Sequence, residues 1–335
     1  MKKRFIIILL TIILIAFGLG FALWRLTRVP PKETKIYKVG LLQMSSTVSE
    51  NMEGFKMGMS ELGYKEGVNI TYVYRDADGD LNKLEEYANE LVAMKPDLIF
   101  VNTSPATKIV KEKTEGTGIP VVFSMVADAV RAGFVKSMQS SGNNLTGTIC
   151  SYIEIAPKRL ALLREINPKI KKVLVFYRPE DLSGGPATQN ILTAAPELGA
   201  EVVAVPIKQK EDVKNYLDKL KPEEVDAIMD PGDSMVTSAL AEWGIVKAKE
   251  LKIPLIMLSK GEAEMGALAS YGVDYIDLGK QSSLIANQVL KGIPPSEIPI
   301  ETPRKFMFSI NLKTAQEIGL EISTKALEKA DLIIK

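Results

Sequence analysis

The segment Asn102-Thr103-Ser104-Pro105-Ala106 combines hydroxyl side chains with a helix start. Ser104 suits an N-cap and Pro105 suits the first helical position. Free backbone N–H groups at such a start attract a carboxylate or a phosphate. An ordinary capped helix would use the same residues, and both readings stand. Ser124-Met125-Val126-Ala127-Asp128 follows the next apolar run, where Ser124 or Asp128 could contact a ligand or Asp128 could cap a turn. Gln43-Met44-Ser45-Ser46-Thr47 adds hydroxyls, Ser45 among them, or an N-cap by Ser46 or Ser49. Farther along stand Tyr177-Arg178-Pro179-Glu180 and Asp230-Pro231-Gly232-Asp233-Ser234. Asp233 could bind an ammonium group and Tyr177 could stack on an apolar or aromatic ligand. Turn chemistry around Pro231-Gly232 is the alternative. Ser259-Lys260-Gly261-Glu262 and Tyr271-Gly272-Val273-Asp274 complete the set, with Ser259 and Asp274 as candidates.

Other chemistry is excluded by what the chain lacks. Histidine is absent from all 335 residues, which removes the commonest general base, the commonest zinc ligand and every His-containing triad. Gly232-Asp233-Ser234-Met235 looks like a serine hydrolase motif but has no histidine to serve it. The single cysteine, Cys150, rules out an intrachain disulfide and reads as a small buried apolar residue. No phosphate-binding Gly-x4-Gly-Lys-Ser/Thr loop is present. A net charge of +1 provides no basic field for nucleic acid. The expectation is a binding protein, not an enzyme, with no catalytic residues, metal or cofactor, acting as a monomer.

These loops must be held by elements whose order is legible in the apolar pattern. Val39–Leu42 reads as a first strand, and a helical pattern over 48–62 stops at Gly63. Asn69–Tyr74, Asp97–Asn102 and Ile119–Ser124 read as strands, with a helix over Leu81–Met94 between the first two. The run Asp97–Asn102 is apolar throughout, as expected of a strand covered on both faces. The pattern restarts near Thr148–Ile153. Lys172–Tyr177, Glu201–Val205, Val225–Met229 and Ile253–Leu258 are further strands with helical stretches between them. A strand over Ala267–Tyr271, a helix over Ile276–Leu290 and a strand over Phe306–Ile310 follow. Two runs of strand–helix alternation predict two Rossmann-like lobes with parallel sheets. The first lobe covers 38–150 with about 275–302 returning to it; the second covers 151–274 with about 303–335. The chain then crosses between lobes near Ser151, Asp274 and Pro303, which makes a three-strand hinge. Ligands of open α/β sheets sit beyond the carboxyl ends of the strands, where the candidate loops lie.

The first residues belong to another environment. Lys2, Lys3 and Arg4 precede an uncharged apolar run, Phe5–Trp24, long enough to cross a bilayer as a helix. The exit, Phe21-Ala22-Leu23-Trp24-Arg25, is a poor cleavage site. An uncleaved signal anchor over 1–25 and a stiff tether over 26–37 are expected, with the body on the extracytoplasmic face of the membrane.

Taken in order, the loops resemble those of the ABC transporter substrate-binding proteins of the tryptophan/tyrosine type. The matching stretches include Val39-Gly40-Leu41-Leu42-Gln43, Pro96-Asp97-Leu98-Ile99-Phe100, Thr103-Ser104-Pro105-Ala106-Thr107 and Ile119-Pro120-Val121-Val122-Phe123. Later ones are Asn144-Leu145-Thr146-Gly147, Gly266–Tyr275 and Ile310-Asn311-Leu312-Lys313-Thr314-Ala315. The resemblance spans roughly Lys38 to Leu320 and implies a type 1 periplasmic-binding-protein fold. It implies a small ligand of the amino-acid class, often an aromatic one, with a permease and an ATPase as partners. By position it places ligand contacts at Thr103-Ser104, Ser124–Asp128, Tyr177, Asp233, Ser259 and Asp274. The chain departs from the family pattern at Ala127-Asp128-Ala129-Val130, Pro231-Gly232-Asp233-Ser234 and Ser259-Lys260-Gly261-Glu262, and it lacks the lipid-anchor cysteine. A ligand sensor that signals through a membrane partner is the alternative function.

Overall fold

The structure, a computed structural model, describes residues 17–18 and 35–335, and Tyr37–Lys335 form one unit. The expected span Phe5–Trp24, apart from Phe17 and Gly18, lies outside the described residues. Among the described residues no helix is long and apolar enough to cross a membrane.

The first half builds a five-stranded sheet from β1 (Tyr37–Gln43), β2 (Ile70–Asp76), β3 (Leu98–Asn102), β4 (Val121–Val126) and β5 (Leu145–Ile149). The order is β2-β1-β3-β4-β5 and every pair is parallel. All residues of β3, β4 and β5 are buried, because helices cover both faces. On one side lie α1 (Ser49–Glu61) and, from far along the chain, α10 (Tyr275–Leu290). Glycines let these two helices touch. A Cβ at Gly54 would sit 2.2 Å from the Ile276 carbonyl oxygen, and one at Gly279 would sit 2.1 Å from that of Asn51. On the other side lie α2 (Leu81–Ala93) and α3 (Ser104–Thr114).

The second sheet has seven strands in the order β12-β11-β10-β9-β8-β6-β7. They are β6 (Lys172–Tyr177), β7 (Glu201–Pro206), β8 (Ala227–Met229), β9 (Leu255–Met257), β10 (Ala269–Val273), β11 (Phe306–Asn311) and β12 (Leu332–Ile334). Its helices are α4 (Tyr152–Ile166), α5 (Gly184–Ala194), α6 (Lys210–Leu217), α7 (Ser234–Ala239), α8 (Ile245–Leu251), α9 (Lys260–Met265), α11 (Leu312–Ile318) and α12 (Thr324–Lys329). The β10–β11 pair is antiparallel, a departure from the all-parallel expectation. The reason is topological: the chain leaves the carboxyl end of β10 to form α10 on the first sheet. It returns along β5, where Ile149 N–H donates to Glu301 O at 3.0 Å, and so re-enters the second sheet from the same edge.

The carboxyl edges of the two sheets face each other. Met125 and Ala127 at the end of β4, Cys150 after β5, Leu258 after β9 and Val273 at the end of β10 form one apolar cluster with Tyr152 and Tyr275. The seam between the sheets is therefore lined by strand ends.

Candidate functional site

The backbone is strained where the strands end. Thr103 follows β3 with φ 76° and ψ 151°, Met125 sits in the β4 bulge with φ 58°, and Ser151 precedes α4 with φ 53°. A positive φ on a non-glycine residue costs about 1–3 kcal/mol and persists where the surroundings impose it, often at functional sites. The bulge between Phe123 and Val126 re-aims Met125 into the seam.

Thr103, not Ser104, is the N-cap of α3, one residue earlier than the sequence predicts, and its side chain makes no capping bond. Its Oγ1 is buried without a partner among the described residues, as are both polar side-chain atoms of Asn102. Ser104 lies in the first turn, and its Oγ accepts from Ala127 N–H at 3.4 Å, tying the helix start to the loop after β4. The open start of α3 thus combines unsatisfied N–H groups with a buried free hydroxyl, the donor set for a carboxylate. Replacing Thr103 by glycine is expected to relieve the strain and raise stability of the ligand-free protein by about 1 kcal/mol. The same change should weaken ligand binding about ten-fold. Parallel urea unfolding and calorimetric titration measure the two opposed signs.

The other sequence candidates divide between the seam and internal work. Ser45 stands at the start of the turn after β1, half-buried and with extended backbone. Tyr177 ends β6, half-buried. Ser124 is fully buried, and its hydroxyl is committed to a chain, Ser124 Oγ–Thr148 Oγ1 at 3.0 Å and Thr148 Oγ1–Ser282 Oγ at 2.9 Å, that joins β4 and β5 to α10. Asp128 caps a turn, accepting from Val130 N–H at 3.1 Å and Arg131 N–H at 2.9 Å. Asp274 caps α10 through Asp277 N–H at 2.9 Å. Ser259 forms a capping box with Glu262 at the start of α9, and burial raises the Glu262 pKa.

Asp233 is the largest correction to the residue-level expectation. It is fully buried, and both oxygens are spent: Oδ2 accepts from Arg178 Nε at 2.9 Å, and Oδ1 from Arg178 Nη2 at 2.8 Å and Met235 N–H at 2.9 Å. No lone pair is left for a ligand ammonium group. The residue that Asp233 fixes, Arg178, is the one that remains partly exposed.

Sequence reasoning missed a second buried group. Arg159, on α4, is fully buried and donates to three carbonyls: Pro231 at 3.0 Å, Tyr271 at 3.3 Å and Tyr152 at 3.4 Å. It thereby joins the loop after β8 to both ends of the connections around the seam. Asp230 is equally buried, and its Oδ1 accepts from Gly232 N–H at 2.8 Å. Burial pushes its pKa up to about 7, although the Arg159 charge pulls it down. Arg159 Nε and Asp230 Oδ2 both lack partners among the described residues. On a helix reading Lys158-Arg159-Leu160, an arginine has no sequence signal for burial. Across the seam, the Tyr152 hydroxyl donates to that of Tyr275 at 3.1 Å, and Lys260 on α9 pairs with Glu50 on α1 at 3.7 Å. Among the described residues, no group of three acidic or cysteine side chains could hold a metal.

Two α/β layers with mainly parallel sheets and facing carboxyl edges have the fold of type 1 periplasmic binding proteins. The profile described as ABC transporter substrate binding protein matches residues 38–334, and the chain belongs to that family. It acts as the substrate-binding component of an ABC transporter system. A curated tyrosine-binding protein of Clostridioides difficile is 29% identical over 290 residues, covering 87% of this chain and 82% of that one. An ABC domain from Streptococcus pneumonia solved in complex with L-Trp is 26% identical, with a TM-score of 0.79 over 90% of this chain and 100% of the other. A ligand-free, open substrate-binding protein with adhesive properties from Clostridium difficile is also 26% identical, with a TM-score of 0.67 over 90% and 100%.

Proposed function

We propose that this protein captures an aromatic amino acid between its two lobes and delivers it to an ABC permease and its ATPase. The observation that carries the reading is the start of α3: a strained Thr103 with a free buried hydroxyl at an uncapped helix N-terminus, bonded to the end of β4 whose Met125 and Ala127 line the seam. That end takes the ligand carboxylate, with Ser45 and Ser104 beside it and Tyr177 offering a ring from the opposite lobe. Asp128, Ser124, Asp233, Ser259 and Asp274 hold the loops in place. The three connections near Ser151, Asp274 and Pro303 act as the hinge on which 38–150 with about 275–302 closes against 151–274 with about 303–335. The ligand stabilises the closed state by its differential affinity. At equal identity and coverage, the fold lies nearer the L-Trp complex, at a TM-score of 0.79, than the open ligand-free structure, at 0.67, which supports a closed arrangement here. Residues 5–24 serve as an uncleaved membrane anchor with the body on the extracytoplasmic side, and no catalytic step is involved.

Titration with L-tyrosine, L-tryptophan and L-phenylalanine tests the reading. At least one is expected to bind with a micromolar or lower Kd, and to stabilise the fold by about 2.7 kcal/mol at a hundred-fold excess over Kd. A folded protein whose unfolding midpoint none of the three moves would rule the ligand class out.

A further inference from the structure

The loops after β6 and β8 in the second lobe form a polar corner whose groups are not all used. Arg178, at the end of β6, is held by a fork onto Asp233 and by Asp181 at 2.8 Å. Its Nε and Nη2 are occupied, and its Nη1 has no partner among the described residues. Arg178 remains 21% exposed while Asp233 is fully buried, so the guanidinium is rigidly mounted with one edge open. Asp181 Oδ1 accepts from Ser183 N–H at 2.9 Å and Gly184 N–H at 2.7 Å, which fixes the same short loop. The Ser183 hydroxyl in that loop is buried and also has no partner among the described residues. Gly232 faces it: a Cβ there would lie 3.6 Å from Ser183 Oγ and 3.2 Å from Tyr152 Cβ. Gly232 thus packs closely between Ser183 and the seam tyrosine, which sets the Ser183 hydroxyl next to the seam.

The charge of this corner defines what it accepts. One arginine is surrounded by Asp233, Asp181 and Glu180, so its positive charge is more than neutralised. A second ligand anion gains nothing there. What remains is a fixed N–H donor on Arg178 and, in the same loop tied together by Asp181, a Ser183 hydroxyl that can donate or accept. A neutral O–H group matches both, accepting from Arg178 and donating to Ser183. An indole N–H can only donate, and it would leave the arginine edge facing an apolar ring. A plain phenyl ring satisfies neither group, and both would be desolvated without a partner.

We infer that Arg178 and Ser183 are specificity-determining residues that read a neutral hydroxyl on the ligand ring, so that the site selects a phenolic amino acid over indole and phenyl ones. This rests on the reading of the seam as an aromatic amino-acid site, with the carboxylate held at α3 and the side chain pointed into the second lobe.

The test compares Kd values of the full chain for L-tyrosine, L-phenylalanine and L-tryptophan, in the wild type and in Ser183→Ala and Arg178→Lys. Ser183→Ala breaks no internal hydrogen bond of the hydroxyl and is expected to fold normally. The wild type should bind L-tyrosine about ten-fold or more tighter than the other two. Ser183→Ala should lower that preference roughly five-fold while its Kd for L-phenylalanine stays within about two-fold of wild type. Arg178→Lys, which keeps the charge but cannot hold the fork and offer a fixed free donor together, should reduce L-tyrosine binding more than L-phenylalanine binding. Circular dichroism reports whether each variant is folded. Equal affinities for tyrosine and phenylalanine in the wild type, or a uniform loss for all three ligands in Ser183→Ala, overturn the inference while the aromatic-site reading stands. If folded wild type binds none of the three, both fall together.

Discussion

Replacing Arg159 by methionine is expected to lower folding stability by about 3–5 kcal/mol, as when one partner of a buried charge system is removed. The side chain is 0% exposed, and methionine would fill much of its volume without supplying donors. The carbonyls of Tyr152, Pro231 and Tyr271 would each lose their arginine hydrogen bond, and Asp230 would lose a countercharge that acts on it. Three acceptors from separate segments meet at one guanidinium, so the loss spreads into the loop after β8 and the start of α4. Lysine at 159 should recover only part of the stability, because a single ammonium cannot match the planar fork that reaches all three. Urea unfolding with a shared slope for all variants gives the comparison directly. A loss below about 1 kcal/mol for Arg159→Met would mean that the buried guanidinium is not what holds these segments together.

Asp230→Asn should change how stability depends on pH. In the folded protein burial holds the proton on Asp230 up to about pH 7. In the unfolded chain an aspartate releases it near 3.9. Between those values the folded state binds the extra proton, so the contribution of this residue to stability is full below about pH 4 and is lost as pH rises to about 7. The loss amounts to about 4 kcal/mol across that window. Asparagine has no proton to release, and its side-chain oxygen can still accept from Gly232 N–H as Asp230 does at 2.8 Å. The difference in unfolding free energy between Asp230→Asn and wild type should therefore move in favour of the variant by about 4 kcal/mol from pH 4 to pH 8. Unfolding curves at pH 4.5, 6 and 7.5 measure it. Parallel pH profiles would show that the Asp230 carboxyl is hydrated or paired in the folded state. Because Arg159 and Asp230 act on each other, the double variant should not show the sum of the two single effects.

The strand–helix alternation, the α/β class and the family were all written in the sequence. Apolar runs such as Leu98–Val101 need both faces covered whatever the details of packing, and the ordered loops from Val39 to Ala315 carry the resemblance. Lys172–Tyr177 appears as the strand its pattern predicts, because β-branched and aromatic residues there bury both faces of a central strand. Less legible were β5, whose Leu145-Thr146-Gly147-Thr148-Ile149 is half polar, and β12, three residues long. Thr146 and Thr148 are tolerated in a buried strand only because they bond to Ile298 O at 3.0 Å and to Ser282 Oγ at 2.9 Å, partners about 150 and 134 residues away.

What the chain determined by itself was the placing of hydroxyls and carboxylates after strands, where any open α/β sheet offers its ligands a site. Which of those groups remain free was decided by tertiary structure alone. Asp233 and Ser124 have the right chemistry and the right position, yet folding brings Arg178 to the first, filling its acceptor sites, and Thr148 to the second, committing its buried hydroxyl to an internal bond. Arg159 carries no burial signal in its helix sequence, yet the fold buries it completely beside the seam. Local pattern fixes the period and face of an element. The availability of a polar atom depends on partners from distant segments, and only the assembled fold brings those within hydrogen-bond range.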